Sequence, residues 1–145
     1  ALVTIKTDKA SIENVRVLGP TRKYTQVEIS MTDAYKLGLR PPVRESGDLE
    51  GSSPITIVGP LGEIHLEKGC IIADRHIHIT KEEAIERGLD KVKTVSVKLD
   101  GEKGGILNNV KIKISDEAYF EMHIDTDDAN AHLVKCDDLG EIIFE

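Results

Sequence analysis

The chain has 145 residues, the size of one compact domain or of two half-sized lobes. Hydrophobic residues make up 39% of it and there are 12 glycines, a composition that excludes a disordered protein. The formal net charge is −7, with three Tyr, two Phe and no Trp. This argues against nucleic-acid binding, because an acidic surface repels phosphate and few rings are available to stack on bases.

Short β segments separated by Gly, Pro, Asn or Asp turn signals run through the chain. In order they are VTIK, NVRVL, QVEIS, ITIV, IHL, IIADRHIHIT, TVSVKL, NVKIKIS, FEMHID and EIIFE. Helical patterning is confined to TDAYKLGL, KEEAIERGL and TDDANAHL, and residues 41–54 are predicted to be a loop. The pattern predicts a mostly β protein with short α-helices, built as small barrels or a sandwich rather than as a parallel α/β sheet.

The apolar runs of the chain are all shorter than the ~18–20 residues of a membrane span, and its first residues lack the layout of a signal peptide. We therefore expect a cytoplasmic protein that does not bind membranes. Cys70 and Cys136 have no CxxC spacing, so we expect neither a disulfide framework nor a thiolate zinc site. Because the chain lacks an initial Met and opens on a strand-like segment, we expect a trimmed fragment.

An internal repeat is the most informative feature of the sequence. The three copies are VEISMTDA (27–34), IHITKEEA (77–84) and, more weakly, MHIDTDDA (122–129). Each copy is predicted to be a strand that ends at a helix N-cap residue, with an acidic residue three positions later. The predicted N-cap residues are Ser30, Thr80 and Asp125. The repeat therefore predicts the same strand-to-helix transition three times and indicates pseudo-symmetry.

Two residues before each predicted cap stands a side chain that can bind a divalent metal: Glu28, His78 or His123. Alternate residues of a strand share a face, so His76 and His78 should project together. If the third copy packs beside the second, His123 supplies a third nitrogen. Three protein ligands with open positions are typical of a catalytic zinc. The alternative is that the two neighbouring histidines are polar surface of an edge strand and that Glu28 is a solvated carboxylate.

Positive charge is concentrated near the N-terminus of this acidic chain, at Lys6, Lys9, Arg16, Arg22 and Lys23. This segment is a candidate phosphate-binding face. Arg22 lies shortly before the strand that carries Glu28, where a guanidinium can hold an oxyanion with two parallel hydrogen bonds. The alternative is a solvated basic strand.

Several segments, in order over almost the whole chain, resemble the propanediol-utilisation type of phosphate acyltransferase, the PduL family. They are ENVRVLGPTRKYTQVEIS, RPPVRESGDLEGS, ITIVGPLG, IIADRHIHIT and EMHIDTDDANA. The resemblance implies two pseudo-symmetric small β-barrels capped by short helices, which we expect at residues 1–73 and 74–145. It also implies an enzyme that moves a propionyl or acetyl group between coenzyme A and inorganic phosphate, at a two-zinc site in the cleft between the lobes.

The resemblance also implies individual roles. His76, His78 and His123 would hold one zinc, and Glu28 would contribute to the other. Arg22 would bind phosphate as the catalytic residue. The implied coenzyme A contacts are Lys9, Arg16 and Asn130. The family's upstream RHxHx segment, whose histidines complete the zinc site of Glu28, is absent here. We therefore expect one complete and one incomplete zinc site in what looks like the central and C-terminal parts of a longer enzyme.

The resemblance further implies acyl-CoA and phosphate as partners, and a cytoplasmic location or enclosure in a bacterial microcompartment for propanediol degradation. A second copy of the chain or microcompartment proteins would then be further partners. Two other functions stay open on the residues alone. One is a non-catalytic metal-binding or microcompartment assembly module, and the other is a mononuclear zinc hydrolase.

Overall fold

The computed structural model describes residues 1–144. The chain divides into two compact units, Ala1–Ala73 and Asp74–Glu145. The described residues form eleven strands and three helices, and each unit contains one curled, half-barrel sheet, which confirms the predicted fold class. None of the helices in residues 1–144 is long and apolar enough to cross a membrane.

The first unit is built on one sheet and one helix. Its strands are β1 (Leu2–Lys6), β2 (Ser11–Arg16), β3 (Val27–Glu28), β4 (Val43–Arg44), β5 (Ser53–Gly59) and β6 (Gly62–Ala73), and its helix is α1 (Met31–Leu37). The sheet order is β2-β1-β5-β6-β3, with β4 also paired to β6. β1 and β5 join antiparallel neighbours, whereas β3 and β4 lie parallel to β6. Helix α1 buries Ala34 and Leu37 against a core that includes Ile5, Ile55 and Cys70.

The second unit repeats the plan with a different strand order. Its elements are β7 (His76–Ile79), α2 (Lys81–Glu86), β8 (Thr94–Leu99), β9 (Gly105–Ile114), β10 (Glu121–His123), α3 (Thr126–Ala131) and β11 (Gly140–Ile143). The sheet order is β10-β7-β9-β8-β11, and β7 lies parallel to β9 while the other pairs are antiparallel. Ile77, Ile79, Val95, Val97 and Val110 are central to its core.

The structure departs most from the sequence prediction at two segments. IHL and the first part of IIADRHIHIT form the single strand β6, and the chain leaves the sheet at Asp74 and Arg75 before β7 begins. Gly69, with φ +153°, accommodates a shift in register between β5 and β6 that the sequence pattern does not predict. The loop predicted for residues 41–54 contains β4, because Pro42 accepts a 3.0 Å hydrogen bond from the backbone of Ile72 and so starts a parallel pairing. The predicted strand EIIFE forms β11, and Glu145 lies outside the described residues.

The start of each helix confirms the predicted repeat. The side-chain oxygens of Ser30, Thr80 and Asp125 accept hydrogen bonds from backbone N–H groups three residues later, at 3.2, 3.2 and 2.9 Å. Each of these bonds satisfies a backbone donor that has no partner within the helix. The three transitions are therefore set by local sequence.

The end of each helix also follows a common geometry. Gly38 and Gly88 both have φ +72°, and Leu133, at the equivalent position of the third copy, has φ +55°. The next residue then donates a backbone hydrogen bond to the alanine of the repeat, at 2.9, 2.7 and 2.8 Å in the three copies. This left-handed conformation suits glycine, so the third copy holds a strained leucine where the other two have none.

Replacing Leu133 with Gly should therefore stabilise the second unit. The side chain is 56% exposed, so little packing is lost. Relief of the backbone strain, roughly 1–2 kcal/mol, is larger than the entropic cost of glycine, so the net stabilisation should be about 0.5–1 kcal/mol. Gly88→Ala is the matched variant and should lower stability. A Cβ added at Gly88 meets no atom within 4 Å, so the only cost is the strain of a left-handed backbone at a residue with a side chain. Urea unfolding followed by circular dichroism measures both, and equal or inverted effects would contradict this account.

Candidate functional site

Three histidines meet on the face of the second sheet that points away from its core. His76 and His78 alternate along β7 with Ile77 and Ile79, which are 3% and 0% exposed. β10 pairs antiparallel with β7 in a register that places His123 opposite His76. Residues opposite one another in neighbouring strands project from the same face. The predicted packing of the third repeat beside the second is thus present in the structure.

The distances between the rings suit a metal ion. His76 Nε2 and His78 Nε2 are 3.0 Å apart, and each lies in a ring whose centroid is within 5.2 Å of the His123 ring centroid. Tetrahedral zinc with Zn–N bonds of ~2.0–2.1 Å separates two ligand nitrogens by about 3.3 Å. One nitrogen from each histidine lies within 4.8 Å of the others, so a modest rotation of the half-exposed His123 completes the set. The three histidines can hold one metal ion.

The hydrogen bond of His76 prepares it as a ligand. Its Nδ1 lies 2.9 Å from the backbone carbonyl oxygen of Asp74. A carbonyl only accepts, so Nδ1 carries the proton and Nε2 keeps the lone pair that faces His78. Metal-binding histidines commonly have their second nitrogen held in this way.

The surroundings of His78 favour its neutral imidazole. Burial lowers the pKa of His78 from its usual 6.5, and the nearby His76, His123 and Lys113 lower it further, while Glu121 acts in the opposite direction. Only the neutral imidazole binds a metal. The surroundings of His78 therefore keep it ready to bind at a lower pH than an isolated histidine.

Two ion pairs brace the segment that leads into β7. Arg75 contacts Asp128 of α3 at 2.8 Å, and Lys111 of β9 contacts Asp74 at 2.7 Å. Burial raises the pKa of the Asp128 carboxyl, and Arg75 opposes this rise. These positioning residues have no signal in the sequence, because Arg75 and Asp128 are 53 positions apart and no local spacing links them.

Further contacts hold the chain at β10. Phe120, Met122 and Ile124 pack against the core of the second unit. The guanidinium of Arg87 lies 4.0 Å from the centroid of the Phe120 ring, a cation–π contact between the end of α2 and the residue before β10. These contacts leave His123 on the opposite face of the strand from Met122.

Arg22 and Glu28 are positioned within the first unit by a shared loop. Arg22 Nη1 donates to Tyr24 Oη at 2.8 Å, and Gln26 Nε2 donates to Glu28 Oε1 at 2.7 Å. Gln26 Oε1 accepts a 2.7 Å bond from the backbone N–H of Gly47, and a Cβ on Gly47 would lie 3.1 Å from Tyr24 Oη. Tyr24, Gln26 and Gly47 are thus positioning residues that the sequence did not predict. Every second residue from 22 to 28 is polar or aromatic, and this alternation could have indicated Tyr24 and Gln26.

Lys9 and Arg16, two further predicted site residues of the first unit, lie near opposite ends of β2. Lys9 lies in the turn between β1 and β2 with its aliphatic stem across Gly38, whereas Arg16 lies at the far end of β2, opposite Leu2 of β1. Asn130 is exposed on α3. Lys6 forms a 3.0 Å ion pair with Glu63, so it contributes little to the predicted basic face.

Comparison with known proteins identifies the family. The family model for phosphate propanoyltransferase matches residues 1–135. The chain belongs to this family. It is 50% identical over 133 residues to the phosphate propanoyltransferase of Lachnoclostridium phytofermentans, 50% over 142 residues to that of Thermotoga maritima and 46% over 130 residues to that of Salmonella typhimurium. These matches cover 92%, 97% and 89% of this chain, which in turn spans 61%, 68% and 62% of the relatives' lengths. The resemblance seen in the sequence is confirmed.

We expect this phosphate propanoyltransferase homologue to bind one zinc per chain through His76, His78 and His123. Loss of a residue that only hydrogen-bonds to a metal ligand typically weakens metal binding ~10–100-fold. His78→Ala removes a ligand itself, so it should weaken zinc binding by more than this. His65→Ala is the control, since His65 lies in the first unit beside Thr56 and Glu67. Zinc titration measures the affinities, and stoichiometric zinc in a variant with all three histidines replaced by Ala would contradict the site.

The pH dependence of the metal-free protein should follow from His78. Its pKa in the folded state lies below 6.5, so between the two pKa values the unfolded chain binds a proton that the folded chain does not. The stability contributed by neutral His78 is complete above pH ~6.5 and is lost as the pH falls. Urea unfolding in chelator should show the free energy of unfolding falling more steeply below pH ~6.5 than in His78→Gln. Parallel profiles would show that the histidine is not perturbed.

Proposed function

We propose that this protein is a phosphate acyltransferase that moves a short acyl group, propanoyl or acetyl, between coenzyme A and inorganic phosphate. The observation that carries the proposal is the three-histidine cluster in a chain of the phosphate propanoyltransferase family. His76, His78 and His123 would hold a zinc ion there, and its Lewis acidity would polarise the acyl carbonyl and stabilise the leaving thiolate. Acyl-CoA and phosphate are the proposed partners, and the resemblance alone suggests a microcompartment for propanediol degradation as the location.

The proposed reaction balances without a further reactant. An oxygen of HPO₄²⁻ attacks the thioester carbonyl carbon, a C–O bond forms, the C–S bond breaks and the phosphate proton ends on the thiol. Acyl-CoA and phosphate thus give acyl phosphate and free coenzyme A, and the reverse reaction is catalysed equally. Hydration and repulsion between anions make phosphate a poor nucleophile, so the rate enhancement must come from positioning and charge neutralisation.

Arg22 is the residue proposed to hold the phosphate. Its guanidinium carries five N–H donors, and Tyr24 accepts a hydrogen bond from Nη1, which leaves the other donors for a ligand. A planar guanidinium can donate two parallel hydrogen bonds to two oxygens of an oxyanion. Gln26, which accepts from the backbone N–H of Gly47, donates to one oxygen of Glu28, the residue proposed to contribute to a second zinc site.

The remaining roles follow from side-chain chemistry and the family resemblance. Lys9 and Arg16 are proposed to bind the phosphate groups of coenzyme A, with Asn130 as a further contact. No covalent intermediate with the protein is needed. Cys70 suits none, because burial raises the pKa of its thiol to about 12 and keeps it protonated.

A thiol-release assay tests the proposed activity against the two other functions. The full-length protein, loaded with zinc, is incubated with propanoyl-CoA or acetyl-CoA with and without phosphate, and free thiol is measured. Release that depends on phosphate supports acyl transfer. Release without phosphate indicates a zinc hydrolase, and no release under either condition indicates a metal-binding or assembly module; both outcomes contradict the proposal.

The role of Arg22 gives a sharper prediction. In the full-length enzyme, Arg22→Ala should lower kcat/KM for phosphate by at least ~100-fold, about 2.7 kcal/mol, and Arg22→Lys should also be costly because it keeps the charge but loses the fork. Lys23→Ala is the matched control for loss of one exposed cation. Zinc content should not change. An unchanged kcat/KM for phosphate in Arg22→Ala, or an equal loss of kcat/KM for acyl-CoA, would contradict the assignment.

A further inference from the structure

The histidine cluster has a fourth neighbour on the same face of the sheet, the carboxylate of Glu121. Glu121 lies on β10 directly opposite His78 of β7, just as His123 lies opposite His76. The four side chains therefore form a two-by-two block across one antiparallel strand pair. This block has a built-in carboxylate beside the three nitrogens.

Glu121 makes a specific contact with one of those histidines. Its Oε1 lies 2.9 Å from His123 Nε2. An ionised carboxylate only accepts hydrogen bonds, so in a neutral His123 the Nε2 atom carries the proton and Nδ1 keeps the lone pair. The bond thus determines which nitrogen of His123 can bind a metal.

The charges around the cluster explain why a carboxylate is useful there. β7 also pairs with β9, and Lys113 lies opposite His78 on the side away from Glu121. The row Glu121–His78–Lys113 therefore places an anion and a cation on either side of the imidazole. Lys111, the other lysine of β9 on this face, is paired with Asp74 at 2.7 Å. A divalent metal beside Lys113 is repelled by the ammonium, and the carboxylate of Glu121 offsets that repulsion.

We propose that Glu121 is a positioning residue of the metal site, which holds Nε2–H of His123 and so presents Nδ1 to the metal. The inference rests on the proposed zinc site. His76 is held in the opposite sense, with Nδ1–H on the Asp74 carbonyl and Nε2 presented. A carboxylate that accepts from a ligand histidine fixes its tautomer and ring orientation and raises its basicity.

Zinc titration of matched variants tests this role. Glu121→Ala should weaken zinc binding ~10–100-fold, the usual cost of losing such a partner. Glu121→Gln should lose less affinity than Glu121→Ala, because its amide oxygen accepts the same hydrogen bond although the charge that offsets Lys113 is gone. Glu141→Ala, on β11 at the opposite edge of the same sheet, should bind zinc like the unmodified chain.

The tautomer of His123 gives a second test, because it should change in Glu121→Ala only if Glu121 holds the Nε2 proton of His123. In the metal-free, ¹⁵N-labelled chain, NMR should show His123 protonated on Nε2, and this preference should be lost in Glu121→Ala. Zinc affinity unchanged in Glu121→Ala, equal losses in the Ala and Gln variants, or an Nδ1–H tautomer in the unmodified chain would each overturn the inference while leaving the proposed function standing. An unmodified chain that binds no zinc would overturn both.

Discussion

The antiparallel pairing of β10 with β7 is the interaction on which the candidate site depends. β10 has three residues, too few to be stable alone, yet its register decides whether His123 faces the other histidines. A shift of one residue would turn His123 toward the core and Met122 toward solvent. The register is therefore fixed by the packing of Met122 in the core and by the ion pair between Arg75 and Asp128, which ties α3 to the start of β7.

The repeated strand-to-helix transition provides one scaffold on which different chemistry is carried. The strand, the N-cap bond and the left-handed helix end are common to the three copies, whereas the residue two positions before the cap is Glu28, His78 or His123. A carboxylate is thus held at this position in the first unit and imidazoles in the second. Because the scaffold is stabilised by its own caps and core, these side chains are free to serve binding rather than folding.

The sequence predicted the features that depend on residues close together in the chain. The shared face of His76 and His78 follows from the two-residue period of a strand, and the N-caps follow from contacts across three residues. The position of His123 followed only because the repeat supplied a long-range alignment. The partner of Arg75 and the support of Gln26 by the backbone of Gly47 could not be predicted, because each contact spans more than 20 positions and leaves no periodic trace.

The central claim is that one metal ion binds where β7 and β10 meet. Anomalous scattering measured on either side of the zinc absorption edge, from crystals of the zinc-loaded protein, tests it most directly. The account predicts a single strong peak in the second unit, ~2.0–2.1 Å from one nitrogen each of His76, His78 and His123. A peak bound elsewhere, for example at His132 or Cys136, with none at the three histidines, would contradict it.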